Sequence, residues 1–443
     1  MNILMKILLM PSAICWILAG VLSASEPAGS DSGNETRALT VQEAVRMAVS
    51  RAPEVLIAEA QAIRSTEALR ESRSLNRPQV YAGTGLAYNN GFPLSIEGSA
   101  PSIFQVNASQ PFLSKRNANL TREAAESEKA GRFGIESARN ELASRTASVY
   151  CELHQARQIL ALASARAEAA QKQQQQVEIL LEAGRVLPAE AAQMRTAVLS
   201  ARHQLLVARE QALIADKELH ELTGLSDAVE IRTVEPKVDS PALELQEEAL
   251  YQLALQSAPS ILQAEAEVRA KDFHIEAERG DYLPKMEIVG QYALLSRANN
   301  YADYFSRFAR HNYLFGLSIQ MPVFNGSGTS ARVAQSRQAA SEARLNLQRV
   351  KSDLKLEIQR GLSALRIARG AVDLARSDAE TAREMVRVHE ILMEGGRITA
   401  KELEDSRTQL LQKELALLDA DQNLYQRKID LLYTTGSITA AIQ

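Results

Sequence analysis

Aromatic residues are scarce: Phe, Trp and Tyr make up 5% of the 443 residues, and Trp16 is the one tryptophan. Cysteine is scarcer still. Cys15 lies in an apolar N-terminal run and Cys151 stands alone in the rest of the chain. Once that run is removed, no disulfide can form within one chain. Beyond it, no stretch is apolar for the ~18 residues that a membrane helix requires. The net charge of −4 gives no bulk attraction to nucleic acid, and no nucleic-acid motif is present. A phosphate-binding loop is absent, so any ATP hydrolysis belongs to another protein. The six His, among them His154, His203 and His220, lack neighbours with metal-ligand spacing. Cys151 and His154 share one helical stretch with no third group to orient them, which excludes a nucleophilic site there. No cofactor, metal or catalytic residue is expected.

Ala, Leu, Glu, Arg and Gln are abundant instead, the composition of long helices and coiled coils. The N-terminus reads as a secretory signal over residues 1–25. Lys6 precedes an apolar run from Ile7 to Leu22, and Ser23, Ala24 and Ser25 offer a cleavage site near Ser25. Bulky Ile14 before Cys15 argues against lipid attachment at that cysteine.

The rest repeats. "APEVLIAEA" from Ala52 returns as "APSILQAEA" from Ala258, and Pro78 returns as Pro284. Farther on, "LEAGRVLPAE" from Leu181 returns as "MEGGRITAKE" from Met393, and Thr223-Gly224 as Thr435-Gly436. A first repeat is expected over 26–224 and a second over 243–436. Residues 225–242 read as a linker and 437–443 as a tail. Each repeat should hold a shorter helix, about Thr40 to Ser74 and Leu243 to Arg279. A Pro ends it. Two strands follow, then a long helical segment broken once at the Gly-Arg phrase, then a closing Gly. From Leu113 to Ala183 is ~70 residues, or ~105 Å of helix, too long for a compact domain. Its apolar positions, Leu160, Leu162, Ile179 and Leu180 among them, predict coiled-coil packing.

The strand-like pieces alternate with period two. Val80, Leu86 and Tyr88 share one face, as do Phe104 and Val106, then Ile288 and Tyr292, then Tyr313, Phe315, Leu317 and Ile319. The opposite faces carry Gln105, Asn107, Glu287, Gln291, Ser318 and Gln320. Two readings fit: amphipathic hairpins covering a soluble core, or transmembrane strands with apolar residues toward lipid. No other segment supplies a core to cover, which favours lipid. Four strands cannot close a barrel, and open edges in lipid are costly, so copies should assemble. A large water-filled barrel needs about a dozen strands, which three copies would supply. Pro111 and Pro322 mark where the strands stop.

This order resembles the TolC-like outer-membrane efflux family: helix, strand pair ending in "QPFL" or "MPVF", long helix, "GR" break, long helix, Thr-Gly, written twice. The opening "LTVQEAVRMAVSRAPEVLIAEA" is similar to that family's first mature segment, and the resemblance runs from about Leu39 to Gly436. It implies a mainly α homotrimer. A twelve-stranded β-barrel in outer-membrane lipid would stand on a helical periplasmic barrel, with an equatorial belt that includes the linker. It implies a passive exit duct of a tripartite efflux or type I secretion system. The partners would be a periplasmic adaptor (membrane fusion) protein and an inner-membrane RND or ABC-type pump. Loops at about 89–101 and 296–312 would face the exterior.

The same resemblance makes the two breaks hairpin tips that dock the adaptor: Gly184, Arg185, Val186 and Leu187, then Gly396, Arg397, Ile398 and Thr399. Exposed apolar side chains at a tip fit that role. It also assigns the periplasmic gate to Glu402 and Asp405, with Glu190 as the equivalent in the first copy. Crowded carboxylates around one axis repel, and they attract cations. Where family members latch the gate with an aromatic and a basic residue, this chain has Met393 and Ile398. That latch is absent or rebuilt. The competing function class is a soluble periplasmic coiled-coil scaffold or adaptor without a pore.

Overall fold

A computed structural model describes residues 36–85, 102–295, 309–395 and 397–442. The expected signal segment with Cys15, the strand residues Leu86 and Tyr88, Gly396 and most of the two exterior loops lie outside the described residues.

Strand β1 (Thr36–Leu39) leads into α1 (Val41–Arg51) and α2 (Pro53–Ser74). Strands β2 (Gln79–Gly85) and β3 (Ser102–Leu113) follow, then α3 (Lys115–Glu182) and α4 (Pro188–Thr223). After β4 (Glu230–Thr233) and a 3₁₀ turn, the order returns. It runs α5 (Glu247–Ser257), α6 (Pro259–Gly280), β5 (Lys285–Leu295), β6 (His311–Gln320), α7 (Gly328–Glu394) and α8 (Ala400–Thr434). A short α9 (Ile438–Ile442) ends the chain. At 68 residues, α3 reaches about 102 Å.

Two expectations need correction. The helix expected over Thr40–Ser74 is two helices, because Ala52 is extended and Pro53 opens α2. Proline lacks an amide donor, so it suits the first turn of a helix and interrupts one at any later position. The same break falls at Ala258 and Pro259 in the second half. The segment read as a linker also carries β4, which pairs in parallel with β1.

That small sheet sits over the main core, halfway along the long helices. Leu39, Val45, Leu153, Leu219, Ile231, Ile261, Ile358, Ile429 and Ile438 are buried together there. Tyr150 pins the sheet to α3. Its hydroxyl lies 2.6 Å from the Leu39 carbonyl and 2.8 Å from that of Val234, and it accepts from the Val234 amide at 2.8 Å. Burial pushes the phenol up to about 12, so it remains a donor throughout the neutral range. Tyr150→Phe would leave these backbone groups without their partner. A loss of about 1–3 kcal/mol is expected, readable as a lower melting temperature of the detergent-purified protein. An unchanged melt would contradict the role.

Gly436 closes α8 with φ at +69°, and an added Cβ would stand 2.7 Å from the Ser257 carbonyl. Only glycine satisfies both the left-handed backbone and that approach to the α5–α6 joint.

The larger sheet is antiparallel in the order β2–β3–β5–β6. Its register gathers the alternating residues into two opposed faces. Val80 pairs with Ala108, Val106 with Tyr292, Tyr292 with Tyr313, Gly290 with Phe315 and Ile288 with Leu317. Tyr81, Asn107, Gln291 and Leu314 lie on the other face with Gln105, Glu287 and Ser318. A charged clasp fastens the base of the sheet to the helices. Arg116 on α3 and Arg332 on α7 each bridge Glu278 and Asp281 at the end of α6, at 2.8–2.9 Å.

Candidate functional site

Two hairpins, α3–α4 and α7–α8, carry the repeated Gly-Arg phrase at their turns. Gly184 takes φ +71°, and the Arg185 amide reaches back to the Leu180 carbonyl at 2.9 Å. The Arg397 amide does the same to Leu392 at 2.9 Å. This six-to-one bond is how a helix terminates on a left-handed residue. Arg185, Arg397 and Thr399 are exposed, while Val186 and Ile398 are half-buried. Leu187 is 65% exposed. Among the described residues, neither arginine forms an ion pair with Glu190.

The helices that leave the two turns start differently. Leu187 precedes α4 and gives no side-chain cap, and Pro188 opens the helix. Thr399 precedes α8 in a full capping box. Its hydroxyl accepts from the Glu402 amide at 3.3 Å, and the Glu402 carboxylate accepts from the Thr399 amide at 2.7 Å. Glu402 therefore has a local task that "TAKE" already encodes. The Thr399 amide, with its hydroxyl second, holds the Glu402 carboxyl below its ordinary value. A depressed folded value stabilises above the unfolded pKa, and that contribution is lost as pH falls through the folded one. Asp405 lies one turn on and is exposed, as is Glu190 on α4.

What joins the two hairpins was not legible from the sequence. Arg166 on α3 is ion-paired with Glu404 on α8, and their side chains are 14% and 12% exposed. Arg166 also donates to the Thr408 hydroxyl at 3.3 Å, and Gln155 donates to Asp419 at 2.7 Å. Within hairpins the pairs are more exposed: Arg157 with Asp216, Arg407 with Glu390, and Lys413 with Asp378. Exposed pairs contribute about 0–1 kcal/mol each, whereas removing one partner of the less exposed Arg166–Glu404 pair would strand a desolvated charge.

The strand residues expected to meet lipid share one face of the sheet. Val80, Phe104, Ile288, Tyr313, Phe315, Leu317 and Ile319 are exposed, and Val106 and Tyr292 are half-buried. Cys151 and His154 do not form a reactive pair. Burial pushes the Cys151 thiol up to about 12, and His154 Nδ1 lies 3.2 Å from the Thr233 hydroxyl. A cleft of about 760 Å³ opens at the joints between α1 and α2 and between α5 and α6, away from tips and strands; Arg46, Glu59, Glu136 and Arg139 line it.

The model of one protein family, outer membrane efflux protein, matches the chain twice, over residues 44–225 and 250–437. The chain belongs to that family. Outer membrane efflux protein BepC of Brucella suis biovar 1 (strain 1330) is 24% identical over 298 residues. That alignment spans 66% of this efflux protein and 62% of BepC, so the chain covers less than two thirds of the relative's length. The Campylobacter jejuni CmeC outer membrane channel superposes with a TM-score of 0.76 at 16% identity, covering 96% of this chain and 94% of CmeC. The Vibrio cholerae outer membrane protein VceC gives 0.75 at 14% identity, over 89% and 96% of the two chains. At those identities the superpositions establish the fold of this efflux protein, and the family assignment rests on the double match.

Proposed function

We propose that three copies of this chain form a passive exit duct across the outer membrane and periplasm. The carrying observation is the four-stranded sheet. One face is largely apolar, the other carries Gln105, Asn107, Glu287, Gln291 and Ser318 beside Tyr81 and Leu314, and among the described residues the outer edges of β2 and β6 have no partner strand. An unpaired edge in hydrocarbon costs several kcal/mol per backbone group. Joining β6 of one copy to β2 of the next removes every edge, and three copies give twelve strands around a polar lumen. The helices support the same assembly. Leu199, Leu206 and Leu213 on α4 recur every seven residues and are exposed, as are Ile367 and Leu374 on α7. Such stripes are coiled-coil seams awaiting neighbouring helices.

In this reading the two halves, 26–224 and 243–436, are repeats of one unit, joined by a belt segment over 225–242 and followed by a tail, 437–443. Residues 1–25 direct export and are removed. The tips at Gly184–Leu187 and Gly396–Thr399 dock a periplasmic adaptor, through which an inner-membrane RND or ABC-type pump drives cargo into the duct. Glu402 and Asp405 from three chains narrow the periplasmic end, with Glu190 outside the ring.

The duct should fractionate with outer membranes, run as a heat-sensitive trimer and conduct ions in planar bilayers. Recovery in the soluble fraction without conductance would instead support the scaffold reading. Asp405→Ala with Glu402→Gln is expected to weaken block by divalent cations and to raise conductance, because the ring loses its charge. Glutamine keeps an acceptor for the Thr399 cap. Block that persists unchanged in the double variant removes the gate assignment.

A further inference from the structure

The two strand-to-helix junctions differ. In the first half, β3 ends at Leu113, Ser114 caps, and α3 begins at Lys115. In the second, β6 ends at Gln320 and α7 begins only at Gly328. The interposed segment, "MPVFNGS", carries the two most exposed large apolar side chains among those described: Val323 at 95% and Phe324 at 89%. Gly326 and Ser327 both take left-handed backbone, φ +60° and +66°, so the chain turns sharply only after Phe324. The Arg332 clasp onto Glu278 and Asp281 fixes where α7 starts. The linker is thereby held at the foot of the sheet.

We infer that this linker extends the lipid contact of the barrel, dipping Val323 and Phe324 into the periplasmic leaflet of the outer membrane at the boundary of headgroups and acyl chains. The occupant is phospholipid, for three reasons. Tyr313, Phe315, Leu317 and Ile319 alternate along the outward face of β6, and Met321 and Val323 continue the same alternate positions past the last ladder pair. Leu113, Met286 and Ile319 form the lowest cross-strand row of that face. Leu113 and Phe112 are exposed beside it, so the apolar surface is continuous from sheet to junction. Exposed Arg77, between α2 and β2, and Lys115, at the start of α3, stand at the foot of the sheet in the first half, where lipid phosphates would lie. A basic fringe under an apolar, aromatic band suits an interface, where rings and cation stems sit at headgroup level.

This inference rests on the barrel reading, and one experiment separates the two. Removal of residues 1–25 takes away Trp16, the one native tryptophan, so F324W or F315W supplies a single reporter in the mature chain. The trimer is placed in vesicles of phosphatidylethanolamine and phosphatidylglycerol with bromine either just below the headgroup or deep in the acyl chain. F324W emission should fall by roughly half with shallow bromine and much less with deep bromine. F315W, in mid-strand, should respond most to deep bromine. V323W, at an equally open position, should behave as F324W does. If F315W is quenched but F324W and V323W emit alike in brominated and plain vesicles, the linker does not touch lipid. The barrel stands in that case, and a neighbouring copy or water covers the linker. If F315W is also unquenched, the barrel reading itself falls.

Discussion

Glu404→Ala is expected to destabilise the folded chain by about 3 kcal/mol, the low end for breaking a buried ion pair. The reason is the partner left behind. Arg166 is 14% exposed and would remain charged, with the Thr408 hydroxyl and little water to replace the carboxylate. The figure sits at the low end because each side chain still meets some solvent. The effect should be local as well as global. Arg166 and Glu404 belong to different hairpins, so their separation frees the α7–α8 hairpin to move away from α3. Bilayer recordings should then show higher conductance and longer open times than wild type, with a lower melting temperature in detergent. Arg166→Met with Glu404→Leu restores an uncharged contact of similar bulk, and stability should return nearly to wild type. A Glu404→Ala protein that melts and conducts as wild type does would sink this account. The Arg166–Glu404 pair joins the two hairpins here, together with the Gln155–Asp419 hydrogen bond.

Leu187→Asp with Ile398→Asp should abolish chemical crosslinking to the adaptor while leaving the trimer intact. Leu187 is 65% exposed and Ile398 half-buried at the next tip. Burying either in an interface contributes about 1.5–3 kcal/mol at full desolvation, and a carboxylate in its place must instead be desolvated. Folding gives an internal control. Leu187 occupies the position before α4 and makes no side-chain cap. Aspartate is among the best residues there, worth about 1 kcal/mol to the helix. The Leu187→Asp tip should therefore be at least as stable as the original. Lost crosslinking with an unchanged melt then reports docking alone, and crosslinking that survives in the double variant refutes the assignment.

The sequence made the long elements legible because their signals are long. Seventy residues of helical period before Gly184, and ten residues of alternation in β6, average out local noise. The Gly-Arg phrase located both turns, since the backbone at Gly184 needs a residue that tolerates positive φ. The short pieces escaped. Strands β1 and β4 are four residues each, and their pairing depends on Tyr150, which belongs to neither. The breaks at Ala52 and Ala258 were marked by a following proline, but the apolar period ran through them and masked the signal. Arg166 and Glu404 were illegible for a deeper reason. Arg166 sits among alanines in "LALASARAEAA" and Glu404 in the charged "KELEDSR", and neither stretch marks a partner. Only the side-by-side packing of α3 and α8 makes this Arg–Glu pair buried. Glu402 is the reverse case, since its place in "TAKE" already encodes the helix cap that the structure shows.

Among the described residues the outer edges of β2 and β6 are unpaired, and in the proposed barrel this bears on how the protein is made. A lone copy could not sit in the bilayer, for its edge amides and carbonyls would find neither strand nor water. In the proposed trimer, insertion would then be a collective event, with the helices meeting first and the sheets entering only when three are ready to close. Stability and copy number become one quantity, because dilution dissolves the state that would be stable. A copy with a damaged edge also spoils the two sound copies it joins. In such a trimer the same geometry would make the gene vulnerable to dominant mutations.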